Sequence, residues 1–248
     1  MNFRRSHFNG WAIGVVIPAR NEAAHIARCL CSVLTAIDAL PLPSYVAVVA
    51  DICLDETASI AMQLLGSRGR VIECGLGSVG GARRLGTAAV FEHFQSHSPA
   101  KLWLANTDAD TQVPPHWLRR QMEYAAVGCH GIAGTVEIDP VTHDGADVSA
   151  SLMADYVVQP DGTHSHVHGA NMAFRADAYL NAGGWSEALV AEDHCLWNRL
   201  QQRRFSLASS AHFQVRTSGR FDGRAAGGFA TTLKAKVQRL ASHRLHVD

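Results

Sequence analysis

The sequence predicts an α/β fold, a single domain built on a mostly parallel sheet flanked by helices. Three observations predict it. Short β-branched or apolar runs alternate with segments of helical periodicity through the first half of the chain, the pattern of strands joined by crossover helices. Each run is followed by a polar cluster, where open α/β sheets hold their ligands. A length of 248 residues with 47% hydrophobic content suits one large core, burying roughly 70–75% of the unfolded chain's surface.

The elements follow in order. Trp11 to Ile17 reads as the first strand and leads at once into Pro18-Ala19-Arg20-Asn21. Asn21 reads as a helix N-cap, because its side-chain oxygen can take an orphan amide of a first turn. Behind it Ile26, Leu30, Val33, Leu34 and Ile37 recur at the helical period, giving one face to bury against a sheet. Tyr45 to Ala50 is the second strand; Asp55 then caps a helix carrying Ile60, Ala61, Leu64 and Leu65, and Gly66 stops it. Arg70 to Cys74 reads as a strand, Gly75 to Gly81 as a tight loop and Arg83 to Phe94 as a helix. Leu102 to Ala105 forms the fourth strand and ends in Asn106-Thr107-Asp108-Ala109-Asp110, with Pro114 and Pro115 opening another helix.

The second half is less regular. Gly131 to Ile138 reads as a strand, and Asp139 to Ser165 as a polar excursion over the surface or a lid. His168-Gly169-Ala170-Asn171-Met172 leads into a short helix, Gly183-Gly184-Trp185 breaks the chain, and a helix runs from about Glu192 to Arg203. A basic helix closes the chain. His164, His166 and His168 alternate and share one face if extended; a solvated or lightly structured histidine face is the expectation there, ahead of a metal site.

Composition narrows the function. Lys+Arg 22 balances Asp+Glu 22, which argues against nucleic acid or any partner held by bulk electrostatics. No run approaches the roughly 18 apolar residues of a membrane span, and Met1 to Gly10 carries charge without an apolar signal core. A soluble, cytoplasmic protein is expected. The six cysteines show no CxxC or Cys/His spacing, so neither zinc nor a disulfide framework is expected.

Two motifs carry chemistry. Gly75-Leu76-Gly77-Ser78-Val79-Gly80 has the dinucleotide spacing G-x-G-x-x-G but sits in the third strand–helix unit. The next strand ends in Asn106, not in the acidic residue that would hold a ribose. Asp108-Ala109-Asp110 sets two carboxylates directly after a buried strand. A hard cation such as Mg²⁺ or Mn²⁺ can pair with them and keep positions open for phosphate oxygens. A solvated turn, with Asp110 capping the next helix, is the alternative.

Read together, six segments resemble the nucleotide-sugar glycosyltransferases of family 2, which have the GT-A fold, over about residues 11 to 205. Val15-Val16-Ile17-Pro18-Ala19-Arg20-Asn21-Glu22 is similar to the family's opening strand and nucleotide-binding turn, and the run from Val48 to Thr57 to its second strand. Gly80-Gly81-Ala82-Arg83-Arg84-Leu85-Gly86 resembles the loop and helix start near the donor diphosphate. Asp108-Ala109-Asp110 takes the place of the D-x-D, His168 to Met172 that of a glycine-rich acceptor loop, and Glu192-Asp193-His194-Cys195-Leu196 that of E-D-x-x-L.

The resemblance implies one domain over 1–248. About 11–110 would be its nucleotide-sugar-binding half, about 111–210 its acceptor-side half and 211–248 a basic tail. It implies that Pro18, Ala19, Arg20, Asn21, Glu22, Asp51, Gly80, Gly81, Arg83 and Asp108 bind the donor, and that Gly169, Ala170 and Asn171 bind the acceptor; Trp185, after the two glycines, reads either as a platform for the acceptor sugar or as a buried core side chain. Asp108 and Asp110, with His212 as a further candidate, would hold Mg²⁺ or Mn²⁺. Asp193 would be the base of an inverting transfer to a small or soluble hydroxyl acceptor, with Glu192 shaping its surroundings. The chain departs from the family's V-D-D-G-S-x-D where it reads Ala50-Asp51-Ile52-Cys53-Leu54-Asp55, which lacks the glycine of that turn. The Q-x-x-R-W motif and membrane helices of processive synthases are absent from the sequence. A metal-dependent nucleotidyltransferase, an NAD-type oxidoreductase and a non-catalytic nucleotide binder are the rival classes.

Overall fold

The computed structural model describes residues 8–140, 142–143, 146–147, 153, 156–187 and 191–219. Five strands and four helices come first: β1 (Ala12–Ala19), α1 (Ile26–Asp38), β2 (Ser44–Asp51), α2 (Thr57–Leu65), β3 (Gly69–Cys74), α3 (Val79–His93), β4 (Leu102–Asn106), β5 (Thr111–Gln112) and α4 (Trp117–Ala126). β6 (Gly131–Ile138) and a small pair, β7 (Thr142–His143) and β8 (Ala146–Asp147), follow. Then come β9 (Met172–Arg175), α5 (Ala176–Asn181), α6 (Glu192–Gln202) and β10 (Leu207–Thr217).

Eight strands form one sheet in the order β3-β2-β1-β4-β9-β6-β10-β5. β1 runs parallel to β2 and β4, β2 to β3, and β6 to β10; β9 is antiparallel to β4 and β6, and β5 to β10. The sheet is therefore mostly parallel, and helices cover both faces. Of the predicted stripe on α1, Ile26, Leu30, Val33 and Ile37 are buried and Leu34 only partly so; with Cys29 they pack against Ile13, Val15 and Ile17, together with residues of α2 and α4. On the other face α3, α5 and α6 pack on Ala12, Val16, Leu102, Leu104 and Phe174. α3 approaches most closely: a Cβ on its Gly86 would stand 2.7 Å from Val16 Cγ1. The chain winds outward from β1 to β3, then crosses back to β4 on the other side of β1. The crevice beyond the carboxyl ends of β1 and β4 is thus the switch point where such sheets bind ligands.

Several boundaries differ from the sequence reading. α1 begins at Ile26 with His25 at its N-cap, so Asn21 does not cap it. Asn21 instead adopts φ +52 and accepts the Leu54 amide on its Oδ1 at 2.7 Å, tying the end of β1 to the loop after β2. Glu56 occupies the N-cap of α2, while Asp55 just before it accepts the Thr57 amide at 3.1 Å. Pro114 and Pro115 precede α4, whose N-cap is His116. After the Gly169–Asn171 turn the chain forms β9 before any helix. β10 extends to Thr217, so residues 211–217 belong to the central sheet and not to a tail. The closing basic helix lies outside the described residues. Among the described residues no helix is long and apolar enough to cross a membrane, and all six cysteines are free.

Candidate active site

The loops beyond β1 and β2 hold each other. The Glu22 amide donates to Thr57 Oγ1 at 2.7 Å and the Ala23 amide to Asp55 Oδ2 at 3.0 Å. Pro18 and Ala19 end β1, and Arg20 and Asn21 stand partly exposed beside them. Asp51 ends β2 and is buried; its carboxylate accepts the amides of Leu76 at 2.6 Å, Gly77 at 3.0 Å and Ser78 at 3.1 Å. The amides that a dinucleotide fingerprint would turn toward a pyrophosphate are therefore committed to a protein carboxylate. Ser78 caps α3 by accepting the Gly81 amide on its hydroxyl at 3.2 Å.

Gly80 is small for a packing reason. A Cβ there would stand 2.1 Å from the Ser186 carbonyl oxygen, whereas one on Gly81 would meet nothing nearer than 3.4 Å. Gly80→Ala is expected to destabilise the fold by about 1–3 kcal/mol, and Gly81→Ala by far less. Urea unfolding of the two variants checks this.

Arg83 gathers the site. It is 2% exposed, and its guanidinium reaches three segments that are distant in sequence. Nη2 donates to Asp108 Oδ1 at 2.6 Å, Nη1 donates to the Gly169 carbonyl at 3.0 Å, and Nε lies 3.4 Å from Glu192 Oε1. Its Cζ sits 5.3 Å from the centroid of the Trp185 ring, a cation–π contact. Burial alone would loosen the arginine's proton, but Asp108, Glu192 and Asp193 outweigh it and hold the group more firmly charged. Arg83 thus supplies charge to the carboxylates, while Arg84 one residue on points outward to an ion pair with Glu187.

Asp108 and Asp110 sit on the turn between β4 and β5. Cys29 of α1 donates its thiol to the Asp108 carbonyl at 3.3 Å, and burial pushes that thiol's pKa up. Asp110 Oδ1 has long contacts to the hydroxyls of Thr111 at 3.5 Å and Thr217 at 3.4 Å. Thr217 comes from the far end of β10 and was not foreseen. Among the described residues no group of three His, Cys, Asp or Glu side chains could hold a metal ion. Two neighbouring carboxylates nonetheless fit Mg²⁺ or Mn²⁺ bound jointly with phosphate oxygens, because such ions need only one or two protein carboxylates. His212 does not join them. It lies exposed against Gly162, five strand residues before Thr217, or roughly 16 Å along β10.

On the other side of Arg83 the predicted acceptor loop is mostly interior. Gly169 and Ala170 are buried, and a Cβ on Gly169 would stand 2.3 Å from Arg83 Nη2. Asn171 is fully buried: its Nδ2 donates to the Thr135 and Phe213 carbonyls at 2.8 and 3.0 Å, and its Oδ1 accepts from Trp117 Nε1 at 2.9 Å. It pins the loop and leaves no side-chain atom for an acceptor. Trp185 is 3% exposed, edge-on to Phe174 at 5.8 Å, a core side chain supporting Arg83 and not an open sugar platform.

Asp193 is partly exposed on the first turn of α6. Its Oδ2 accepts the Gly169 amide at 2.9 Å and its Oδ1 accepts the His194 amide at 2.7 Å. Gly169 therefore bridges Arg83 through its carbonyl and Asp193 through its amide. Glu192 is buried beside it; burial pushes its carboxyl up, Arg83 opposes this, and Asp193 and Asp108 reinforce it.

The alternating histidines are packed, not solvated. His166 stacks on Tyr156 at 3.9 Å, and His168 lies parallel to His166 at 6.2 Å; Tyr156 was not singled out from sequence. Burial lowers the pKa of His168 to about 4, with Asp193 opposing. The unfolded chain binds this proton near pH 6.5, so the folded state loses stability as pH falls from 6.5 to 4, by about 3 kcal/mol. His168→Gln is expected to flatten that part of the stability–pH curve, as urea titrations across this range would report.

Comparison with known proteins places this arrangement. No curated protein sequence matches the chain. Among solved structures, residues 1–349 of S. aureus TarS with UDP-GlcNAc align at TM-score 0.60 and 11% identity, over 88% of this chain and 61% of that one. The mannosyltransferase PcManGT from Pyrobaculum calidifontis, with GDP-Man and Mn²⁺, aligns at TM-score 0.55 and 17% identity, over 90% and 68%. Glucosyl-3-phosphoglycerate synthase from Mycobacterium tuberculosis, with Mg²⁺ and UDP, aligns at TM-score 0.52 and 15% identity, over 86% and 72%. The shared property is the GT-A fold, and this chain spans about three-fifths of the TarS chain. The model of glycosyltransferase-like family 2 matches residues 11–241, which takes in every segment that Arg83 joins; the chain belongs to glycosyltransferase-like family 2.

Proposed function

We propose that the protein transfers a glycosyl group from a nucleotide-diphosphate sugar to a small or soluble hydroxyl acceptor, with inversion. The observation that carries this reading is the Arg83 junction, which puts Asp108 on one side and the Gly169–Asp193 pair on the other. A single displacement needs both: charge control where the diphosphate leaves and a base where the acceptor hydroxyl attacks. The relatives' complexes with UDP-GlcNAc, GDP-Man and UDP support a nucleotide-sugar donor.

Pro18, Ala19, Arg20, Asn21 and Glu22 form the donor wall beyond β1, with Asp51 setting the conformation of the 75–78 loop beside it. Asp110 and the Asp108 oxygen that Arg83 does not take would hold Mg²⁺ or Mn²⁺. Such an ion would neutralise charge on the departing diphosphate. Asp193 takes the acceptor proton on a lone pair not used by the two amides, and those amides hold its carboxylate toward the crevice. Glu192, drawn to Arg83, keeps that cation centred between the two sides.

Donor binding tests the reading. Calorimetry of nucleoside diphosphates with Mn²⁺ is expected to show saturable binding that chelator weakens at least tenfold, and Asp110→Asn is expected to abolish the chelator effect. Equal, metal-independent affinity in wild type and variant would refute the assignment of Asp108 and Asp110. Saturable NAD binding with no response to nucleotide sugars would favour an oxidoreductase.

A further inference from the structure

The stretch that leads into Gly169 is held by side chains. Among the described residues no backbone–backbone hydrogen bond holds Ser165, His166 or Val167. Val167 is buried in the cluster that contains Met172, Phe174 and Leu196, and the alternation of an extended chain turns His164, His166 and His168 the other way. There they meet Tyr156. Its ring lies parallel to His166 at 3.9 Å and to His168 at 5.7 Å, with planes 8° and 14° apart. The Tyr156 hydroxyl accepts the Val136 amide at 3.1 Å, which ties the rings to β6. Burial lowers the proton affinity of His166 as it does that of His168, while a hydrogen bond to the Val157 backbone opposes this at His166. Uncharged rings stack favourably, whereas two imidazolium ions so close would repel. His166 Nε2 is buried without a hydrogen-bond partner, so this side chain contributes mainly through its faces.

The rings end one residue before Gly169, whose amide donates to Asp193 Oδ2 at 2.9 Å. That N–H lies in the planar peptide that joins His168 to Gly169, so whatever fixes His168 sets the direction in which the amide points. The other fixings act on the far side of this peptide: the Gly169 carbonyl on Arg83, and Asn171 on the Thr135 and Phe213 carbonyls. We infer that the parallel rings of Tyr156, His166 and His168 form a positioning device for the base: by fixing His168 they aim the Gly169 amide that orients Asp193. The inference rests on the transfer reading above and deepens it by naming residues that act on the base from outside the reacting centre.

The test compares wild type, His166→Ala and His166→Phe as full chains, the phenylalanine keeping a ring but giving up the bond to Val157. Hydrogen exchange followed by NMR reads the Gly169 amide. Turnover is read as nucleoside diphosphate released from UDP-GlcNAc, UDP-glucose and GDP-Man with Mn²⁺ and a pool of hydroxyl acceptors. Losing one stacked ring is expected to speed Gly169 exchange about tenfold and to lower kcat about tenfold in His166→Ala. The KM for the nucleotide sugar should stay within about twofold, and the amides of β1 and β4 should exchange as in wild type. His166→Phe is expected to bring both readouts back to within about threefold of wild type. His166→Val carries the same expectation as His166→Ala if the alanine variant fails to fold. Unchanged Gly169 exchange in the variant without a ring would overturn the inference. Equal acceleration in β1 and β4 would overturn it too, as the mark of a merely structural role, and so would a phenylalanine variant that behaves like alanine, since the hydrogen bond and not the ring would then matter. A wild type that releases no nucleoside diphosphate, with Gly169 responding as expected, would overturn the transfer reading and support the rings as the brace of Asp193.

Discussion

Asp193→Asn is expected to lower turnover by about 10²- to 10⁴-fold, the usual worth of a general base, while nucleoside diphosphate affinity stays within about twofold of wild type. The amide isostere can still accept one of the two backbone amides that now bind the carboxylate, so the first turn of α6 should hold its place. The side chain is partly exposed, which limits the effect on stability. A residue that merely braced the helix would show the opposite pattern, a lower melting point with a near-normal rate in the folded fraction. Single-turnover kinetics on folded protein separates the two, and NMR of the anomeric product reports whether configuration inverts.

Arg83→Met is expected to have the largest effect on stability. It would leave Asp108 and Glu192 facing each other without the cation between them, and the Gly169 carbonyl without its donor. Removing one partner of a buried ion pair costs about 3–5 kcal/mol, or about 10 °C in melting temperature for a chain of this size. Activity should fall with it, because the Gly169 turn carries the amide that orients Asp193. Arg83→Lys keeps a charge but cannot reach three acceptors with one planar fork, so it is expected to recover part of the stability and little of the rate. A full recovery of rate by lysine would show that only net charge matters at this position.

The parallel half of the fold was legible because its strands are apolar runs and its helices carry a clean stripe, as in Ile26, Leu30, Val33 and Ile37. Asp108 and Asp193 were legible as motif positions, and the structure links both to one guanidinium, Asp108 directly and Asp193 through Gly169. The sequence reading named Arg83 and not Arg84, and the helix period supports its burial: Gly80, Arg83, Thr87 and Val90 share the buried stripe of α3, and Arg84 lies off it. Asn171 was placed at the acceptor, and Trp185 was left between a sugar platform and the core, because polar or aromatic identity says nothing about where partners lie. The carbonyls that Asn171 satisfies are 36 and 42 residues away, and Trp185, in the loop after α5, lies under Arg83 of α3. The same non-locality hid Thr217 beside Asp110, 107 residues apart in the chain. His212 was proposed by nearness in sequence to a motif, but strand β10 carries it to Gly162 instead.

The central claim is that the groups joined through Arg83 carry out sugar transfer from a nucleotide donor. The most direct test is mass spectrometry of the products formed from a panel of nucleotide sugars with Mn²⁺ and a pool of hydroxyl acceptors, for wild type and Asp193→Asn. The account predicts release of free nucleoside diphosphate with a matching glycosylated product, reduced at least a hundredfold in the variant. Formation of a nucleoside monophosphate and a sugar phosphate, or equal product from both proteins, would contradict it.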